Sequence, residues 1–335
     1  SPKPTEEVMI KQFNISNNLL TIIKDENAPI EVYIDPTETE KKLLEEKYNI
    51  DEHTISSALD PDEVSRMEFD PDYIFLLWKR PKNYSHADEF VFNVSSAGIF
   101  LVKNRLIIIL PDDITILEPR RFLKINTPLE VILNFIYQSI QQYLEHLKVI
   151  KQISRDIQQK INLAMENEHL IIMFNLSESL VYYLNAISSN NTVLMKLRNN
   201  AEKMGFSTED IEVLDDILIE NNQCFKQAEI YSNILSGLMD ARGTLVNNNM
   251  NVLIKNLTII NVIFLPLNLI ASIGGMSEFS IWTEHIDWRI SYSAFALLMI
   301  LVAYLTAYVI NKVNWFNKGF ANLSPRKLFN KIRKK

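Results

Sequence analysis

The sequence predicts an α+β domain followed by long stalk helices and, near the C-terminus, a two-helix transmembrane hairpin. Three observations indicate this fold class. Short apolar or alternating runs typical of strands occupy residues 8–125, and no proline interrupts residues 129–265, where long helices can therefore form. Two uncharged runs of 21 residues follow, at 257–277 and 290–310. As a helix, each run spans about 31 Å, close to the hydrocarbon thickness of a bilayer.

Apolar periodicity predicts the individual elements. Thr37 followed by Glu40 has the form of a capping box and predicts a helix over Glu38–Tyr48. The runs typical of strands are Val8–Ile15, Leu19–Ile23, Ile30–Ile34, Tyr73–Trp78, Phe90–Val94, Gly98–Val102 and Leu106–Leu110. Long helices are predicted at Leu129–Ala164, at Leu170–Lys203 and from Thr208 to about residue 273. At roughly 100 Å, the last helix is longer than a small domain, which predicts a stalk entering the membrane.

Charge is distributed unevenly along the chain and predicts its orientation. Residues 311–335 contain eight of the 34 Lys and Arg residues and no acid, so the first 310 residues carry 26 bases against 41 acids. By the positive-inside rule, the basic tail is cytoplasmic and the link between the two runs lies outside. The start of the chain, SPKPTEEVMIKQF, contains no apolar stretch typical of a signal peptide. We therefore expect a multi-pass membrane protein with both termini in the cytoplasm.

The predicted organisation has six parts, which alternate between water and membrane. They are a cytoplasmic α/β domain (1–125), a long-helix and stalk region (126–250), the stalk end with the first transmembrane helix (251–277), an outer loop (278–289), the second transmembrane helix (290–310) and a basic cytoplasmic tail (311–335).

Composition and motifs argue against several classes of protein. A formal net charge of −7 argues against nucleic acid as the main partner. The single cysteine, Cys224, rules out an intrachain disulfide. The sequence contains no HExxH, Walker A, GxGxxG or GxSxG motif, and its five histidines are scattered. We therefore expect neither an enzyme nor a histidine-based metal centre.

Polar residues recur along one face of the first apolar run. Because asparagine is costly in hydrocarbon, these side chains must face protein or water. Steps of three and four residues connect Thr258, Asn261, Leu265, Asn268, Ser272 and Gly275, and Asn251 and Ile254 extend the line. One interpretation is polar contact between packed helices. The other is a wet pore lining, which two spans per chain form only within a ring of subunits. Mg²⁺ suits such a lining because it gives up its waters reluctantly.

Two segments carry a family resemblance. The run SGLMD at Ser236–Asp240 and the run NVLIKNLTIINVIFLPLNLIASIGGM at Asn251–Met276, including Pro266, resemble the CorA family of magnesium and divalent-cation channels. The resemblance implies a funnel-shaped homopentamer in a bacterial or archaeal plasma (inner) membrane, with the second span facing lipid. It also adds Leu257 to the lining and makes Ile254 and Leu257 an apolar constriction. We name as the pore stripe Asn251, Ile254, Leu257, Thr258, Asn261, Leu265, Asn268 and Ser272.

The sequence departs from the family pattern at two sites. The family signature Gly-Met-Asn is here Gly275-Met276-Ser277, which with Glu278 forms the expected outer selectivity loop. Asp216 aligns with a carboxylate that helps family members bind regulatory Mg²⁺. Its expected acidic partner is replaced by Ser57, and the nearby acids are the alternative partners. These are Asp60, Asp62 and Glu63.

The resemblance implies passive transport of divalent cations, driven by the membrane potential and gated by cytosolic Mg²⁺. The transported ion is expected to be chiefly Mg²⁺, with Co²⁺ and Ni²⁺ as further candidates. The expected partners are other copies of the chain, divalent cations and membrane lipid. Two alternatives remain open: a Zn²⁺-transporting relative, which Ser277 makes more plausible, and a non-conducting membrane-anchored scaffold or sensor.

Overall fold

The computed structural model describes six stretches of the chain: residues 10–16, 19–25, 27–83, 90–113, 125–160 and 167–321. The chain divides into two compact units, Ser1–Ala241 and Arg242–Lys335. Within the described stretches, the strands are β1 (Ile10–Ser16), β2 (Leu19–Ile23), β3 (Ile30–Ile34), β4 (Arg66–Phe69), β5 (Ile74–Pro81), β6 (Val94–Val102) and β7 (Arg105–Leu110). The helices are α1 (Glu38–Tyr48), α2 (Glu52–Leu59), α3 (Pro128–Lys160), α4 (Asn167–Met204), α5 (Thr208–Gly274), α6 (Ser277–Trp282) and α7 (Trp288–Ala321).

The strands form one mixed sheet in the order β2-β1-β3-β7-β6-β5-β4. Only β3 and β7 pair in parallel, and the remaining neighbours are antiparallel. The parallel pair lies centrally, where both faces of a sheet can be covered. Accordingly, every residue of β3 is buried, which explains its uninterrupted apolar character apart from Glu31.

Alternating side chains divide the sheet between two apolar cores. On one face, Phe75 and Leu77 pack with Leu44 of α1 and Ile55 of α2. Here Gly98 of β6 permits close approach of α2, because a Cβ at this position would overlap the Cβ of Ala58. The other face, which includes Trp78, packs against the long helices α3 and α4, and the same apolar core extends to the N-terminal part of α5. The N-terminal unit is therefore a sheet covered by helices on both faces.

Buried polar contacts attach α4 to the sheet. The side-chain oxygen of Asn190 accepts hydrogen bonds from Ser65 Oγ (2.7 Å) and from the Lys79 backbone N–H (3.0 Å). Its amide nitrogen donates to the Lys79 carbonyl (2.7 Å). Asn190 thus pairs with β5 much as a neighbouring strand would, beyond the last residue that β4 covers. Leaving these buried backbone groups unpaired would be costly.

Among the described residues, three helices have the length and apolar composition needed to cross a membrane: His169–Met204 within α4, Thr208–Gly274 (α5) and Trp288–Ile310 within α7. The two C-terminal candidates agree with the predicted hairpin. For α4, 39% of the most apolar stretch is buried, against 6% for α5 and 0% for α7. Because Asn190 and its neighbours fix α4 to the sheet, its apolar surface is explained by the core of the domain.

Several predicted elements are confirmed, and others are wrong in detail. The capping box at Thr37 is present, and Leu19–Ile23 and Ile30–Ile34 are strands as predicted. The predicted strand Phe90–Val94 is wrong: the extended chain begins only at Val94, and a single strand continues through Gly98. Phe90 has a positive φ of 60°, which is incompatible with a strand. Val8, Met9 and residues 161–164 lie outside the described stretches.

Three short elements were not predicted, namely α2, β4 and α6. Helix α2 has only 8 residues, so its apolar periodicity is too short to predict a helix.

The long helix α5 extends as predicted and continues through Pro266 to Gly274. The ring of Pro266 removes one backbone donor within that helix.

A buried histidine lies between α3 and α4. His146 Nδ1 is 2.6 Å from Tyr183 Oη, and the Tyr183 ring meets the Tyr143 ring edge-on at 4.8 Å between centroids. Burial lowers the pKa of His146 from its ordinary 6.5 to about 4. Because the unfolded chain binds this proton more readily, the folded state loses stability as the pH falls from about 6.5 toward 4, and is insensitive to this group above that range.

We predict that His146→Gln flattens the pH dependence of stability. In the wild type, protonation of this one group should lower the free energy of unfolding by up to about 3 kcal/mol between pH 6.5 and 4. Thermal unfolding of the detergent-solubilised full chain measures this, with the exposed His53→Gln on α2 as the matched control. If His53→Gln and His146→Gln give equal slopes in that range, His146 is not the origin of the acid sensitivity.

Candidate functional site: the exposed face of α5 and the outer loop

The C-terminal unit exposes two apolar helices. In the described chain, Leu265 of α5 is 70% exposed and Ile300 of α7 is 71% exposed. A continuous apolar surface of this extent requires lipid or other protein against it. Apart from the donor that Pro266 lacks, the backbone hydrogen bonds in the interior of each helix are made within that helix, which is the condition for crossing hydrocarbon. These two helices are therefore the membrane-spanning part of the protein.

All members of the pore stripe are exposed in the described chain, which leaves that face of α5 available to water or to other protein. At 3.6 residues per turn, the eight positions fall within an arc of about 120° on one side of the helix. The stripe thus combines apolar positions near Ile254 with amides and hydroxyls from Thr258 to Ser272.

Hydrogen bonding within the stripe differs between hydroxyls and amides. Thr258 Oγ1 donates to the Ile254 carbonyl at 2.8 Å, so its proton is already used within the helix. No residue in the described parts of the chain hydrogen-bonds to the Asn261 or Asn268 amide. Since an unpaired amide is costly in hydrocarbon, these two side chains need water, an ion's hydration shell or another copy of the chain.

The helix α5 ends at Gly274, within one residue of the predicted end, and the last three residues of the uncharged run 257–277 lie beyond it. The Gly275 N–H donates to the Ala271 carbonyl at 3.1 Å, and the Met276 N–H donates to the Ile273 carbonyl at 3.2 Å. After this turn, Ser277 and Glu278 form the first turn of α6, and both are exposed. The expected selectivity loop is therefore a helix end, a two-residue turn and a helix start.

The outer segment from α6 to the start of α7 carries more acidic than basic groups. Glu278, Glu284 and Asp287 are exposed, and one base, Arg289, accompanies them. The Asp287 carboxylate accepts a hydrogen bond from the Arg289 backbone N–H at 2.9 Å, at the start of α7. The Arg289 guanidinium lies over the Trp288 ring at 5.5 Å. Glu278 is the acid nearest to the Gly275-Met276 turn in sequence and faces solvent.

Asp216 lies on the N-terminal part of α5, in the unit that contains the sheet. It is exposed, whereas the adjacent Asp215 forms a two-point ion pair with Arg198, at 2.7 Å from Nε and 3.1 Å from the terminal nitrogen. Ser57, at the position expected for an acidic partner, is buried and has no carboxylate. Among the described residues, no group of three or more His, Cys, Asp or Glu side chains is arranged to hold a metal within one chain.

The three alternative partners of Asp216 lie in the turn after α2, and a lysine lies beneath them. Lys79 is 5% exposed, and its ammonium donates to the carbonyls of Asp60 (3.5 Å) and Pro61, and to Ser96 Oγ (2.9 Å). Burial lowers the pKa of Lys79, and the nearby carboxylates oppose this shift. A resident ammonium weakens the attraction of this turn for Mg²⁺.

The same turn is further neutralised by an arginine. Glu63 forms an ion pair with Arg66, which also donates to Glu68 at 2.6 Å. Asp62 is exposed, and its backbone N–H donates to Asp60 Oδ1 at 2.8 Å, while its carboxylate forms no hydrogen bond or ion pair with any described residue. Asp62 is consequently the acid of this turn with the least competition for its carboxylate. The role of Lys79 was not visible in sequence, because it lies within an apolar strand and its partners are 17 to 19 residues away.

The protein combines an α/β domain, a long helix and a C-terminal pair of membrane-spanning helices, the first of which carries an uncharged polar stripe. This combination defines a class of integral membrane protein. Comparison with known proteins identifies the family. Residues 31–312 match the CorA-like Mg²⁺ transporter protein family, and the chain belongs to it. The family consists of transporters rather than enzymes.

Individual relatives agree in sequence and in fold. The cobalt/magnesium transport protein CorA of Methanocaldococcus jannaschii is 25% identical over 296 residues, which are 84% of this chain and 89% of the relative. The complete structure of the CorA magnesium transporter from that organism aligns with a TM-score of 0.74 at 21% identity, covering 90% of this chain and 97% of the other. The full-length CmaX structure aligns with a TM-score of 0.70 at 14% identity, covering 93% and 100%.

We predict that Asn268→Leu reduces cation flux while the oligomer persists. The substitution replaces an unpaired amide on the pore stripe with an apolar group, which favours loss of water from the path. Flux into liposomes and size-exclusion chromatography measure the two properties, with Ile270→Leu, which lies outside the arc of the stripe, as the control. Loss of assembly with unchanged flux per assembled oligomer would instead identify Asn268 as a contact between packed helices.

Proposed function

We propose that this protein forms a passive channel for divalent cations, chiefly Mg²⁺, through a ring of five copies of the chain. The observation that carries the proposal is the exposed face of α5, where the Asn261 and Asn268 amides have no hydrogen-bond partner in the described chain and lie among hydroxyls and apolar positions. Two membrane helices per chain do not enclose a wet path, so copies of α5 must surround it. Each copy then contributes its stripe to a common lining.

An uncharged lining favours a cation that keeps its waters. Amide and hydroxyl oxygens accept hydrogen bonds from the water shell, and Mg²⁺ is commonly bound through that shell. The apolar positions Ile254 and Leu257, which are 55% and 59% exposed, provide a constriction that gates by dewetting. The membrane potential supplies about 2.3 kcal/mol per charge per 100 mV, and so about twice that for a divalent ion.

Orientation follows from the charges at the two ends of the hairpin. We place the protein in the plasma membrane. The positive-inside rule then assigns the basic C-terminal tail and the N-terminal domain to the cytoplasm. The outer segment with Glu278, Glu284 and Asp287 then faces the exterior, where its charge attracts cations in a salt-dependent manner.

Gating by cytosolic Mg²⁺ completes the proposal. Exposed Asp216 would bind the ion together with an acid of a neighbouring copy, and Asp62 suits this role because its carboxylate has the least internal competition. Mg²⁺ bound between copies favours the closed ring, since a ligand stabilises the state that it binds better. When cytosolic Mg²⁺ falls, the acids repel one another and the ring opens.

A second candidate ion has a specific observation in its favour. Ser277 stands where the family signature has asparagine, so the outer ring presents hydroxyls of shorter reach instead of amide carbonyls. This change favours a different ranking among divalent ions, including Zn²⁺. Liposome flux with Mg²⁺, Co²⁺, Ni²⁺ and Zn²⁺ in competition decides between the two. A protein that passes none of these ions would be a membrane-anchored scaffold or sensor.

We predict that Ser277→Asn sharpens the preference for Mg²⁺ over Co²⁺, Ni²⁺ and Zn²⁺. The longer amide restores acceptors for the waters of a hydrated ion. In contrast, Glu278→Gln should raise the half-saturating concentration of every divalent ion, because it removes a negative charge and leaves the shape of the side chain nearly unchanged. The effect should diminish at high salt. If ion ranking is unchanged in the first variant and affinity is unchanged in the second, discrimination lies deeper, at Asn268 or Asn251.

We predict that Asp216→Asn relieves inhibition by internal Mg²⁺ and lessens Mg²⁺-dependent thermal protection of the solubilised oligomer. Both effects follow if the carboxylate holds the regulatory ion. Glu46→Gln, an exposed acid on α1, serves as the control for a single lost charge. Persistence of both protection and inhibition would contradict the role of Asp216, and the same pair of measurements on Asp62→Asn then tests the turn after α2.

A further inference from the structure

Three chain segments meet at the ring of Phe295 near the outer end of the hairpin. Phe295 lies on the second turn of α7, and the Phe279 ring of α6 packs against it with centroids 5.4 Å apart. The Tyr292 ring, one turn earlier on α7, meets Phe279 edge-on at 6.3 Å. Both phenylalanines are half-buried, whereas the neighbouring Tyr292 is exposed.

The third segment is the last residue of α5. Gly274 is buried, and a Cβ added there would overlap Phe295 Cζ and lie 2.9 and 3.0 Å from the two Cε atoms. No side chain fits at residue 274 while the Phe295 ring keeps its place. The two glycines at 274 and 275 therefore have different surroundings, because a Cβ at Gly275 would meet only ordinary contacts with α5 carbonyls, at 3.6 and 3.7 Å.

The backbone of α6 is fixed at the same residue. The Phe279 carbonyl accepts hydrogen bonds from the Thr283 N–H at 3.1 Å and from Thr283 Oγ1 at 2.8 Å. At the other end, the Phe279 N–H donates to the Met276 carbonyl at 3.1 Å. Phe279 thus connects the turn at Met276 with the end of α6, and its ring joins that unit to α7.

We infer that Gly274, Phe279 and Phe295 form an aromatic clasp that positions Ser277 and Glu278 at the outer mouth of the cation path. These two residues lie between Gly274 and Phe279, so their position follows from the two anchoring points on Phe295. The clasp residues are positioning residues: they contact each other and not the ion. The inference rests on the proposed function for its effect on transport, but the geometry of the clasp does not depend on it.

Steric coupling between Gly274 and Phe295 provides a sharp test. Gly274→Ala should displace the outer turn and raise the half-saturating Mg²⁺ concentration for uptake into liposomes by about tenfold, equivalent to about 1.4 kcal/mol. Phe295→Leu removes the ring that the added methyl group would strike, so in that background Gly274→Ala should have little further effect. Maximal flux per reconstituted oligomer should change much less than half-saturation, as expected for a positioning role.

Matched controls separate this effect from general damage. Gly243→Ala adds a methyl group to α5 where no atom lies within 4 Å, and Tyr304→Leu removes a 74% exposed aromatic ring from α7. Neither should change half-saturation. Equal effects of Gly274→Ala in both backgrounds, or a loss of maximal flux alone with unchanged half-saturation, would overturn the inference.

A second readout does not depend on transport. Ser277→Cys in a Cys224→Ser background gives one thiol at the outer loop, and its rate of reaction with a membrane-impermeant maleimide reports the position of that loop. Gly274→Ala should change this rate when Phe295 is present and leave it unchanged with Phe295→Leu. If the wild type transports no Mg²⁺, the proposed function fails, and the maleimide reaction rates of the four variants alone decide the inference. A rate that is insensitive to Gly274→Ala in both backgrounds refutes the clasp.

Discussion

The burial of apolar surface on α5 and α7 is the constraint on which the rest of the molecule depends. Apart from the donor that Pro266 lacks, each helix makes its interior backbone hydrogen bonds within itself. Within one chain, however, the most apolar stretches of α5 and α7 are only 6% and 0% buried. Lipid can cover such a surface, but it cannot satisfy the Asn261 and Asn268 amides on one side of α5. That combination requires a boundary between a lipid-facing and a wet or protein-facing side, and in the proposed ring copies of the chain supply it.

Electrostatics act differently at the two ends of this protein. At the outer segment, exposed acids are almost unopposed, so they attract cations at long range. In the turn after α2, Lys79 already donates to the Asp60 carbonyl, and Arg66 forms an ion pair with the Glu63 carboxylate. A site with resident positive charges binds a divalent cation only when further acids come from elsewhere. This difference is why an inter-copy site involving Asp216 and Asp62 is more consistent with the charges than a site within one chain.

Much of the fold was predictable because its signals are local. The capping box at Thr37 and the apolar runs of β3 and β7 lie in consecutive residues, and the structure confirms them. Phe90–Val94 misled because the run contains strand-forming residues, whereas its backbone turns at Phe90. The uncharged run 257–277 extends three residues beyond α5, since hydropathy does not mark where Gly275 and Met276 turn the chain.

The sequence by itself determined that two membrane helices end the chain and that one of them carries a polar stripe. Both features repeat along a single helix, so periodicity reveals them without knowledge of any partner. Tertiary structure decided which residues from separate segments of the chain contact each other. Asn190 reaches β5 across 111 residues, Lys79 enters the turn after α2, and Gly274 yields its side-chain space to the ring of Phe295. Such contacts join residues from separate segments of the chain. The sequence of one segment does not show which other segment will pack against it.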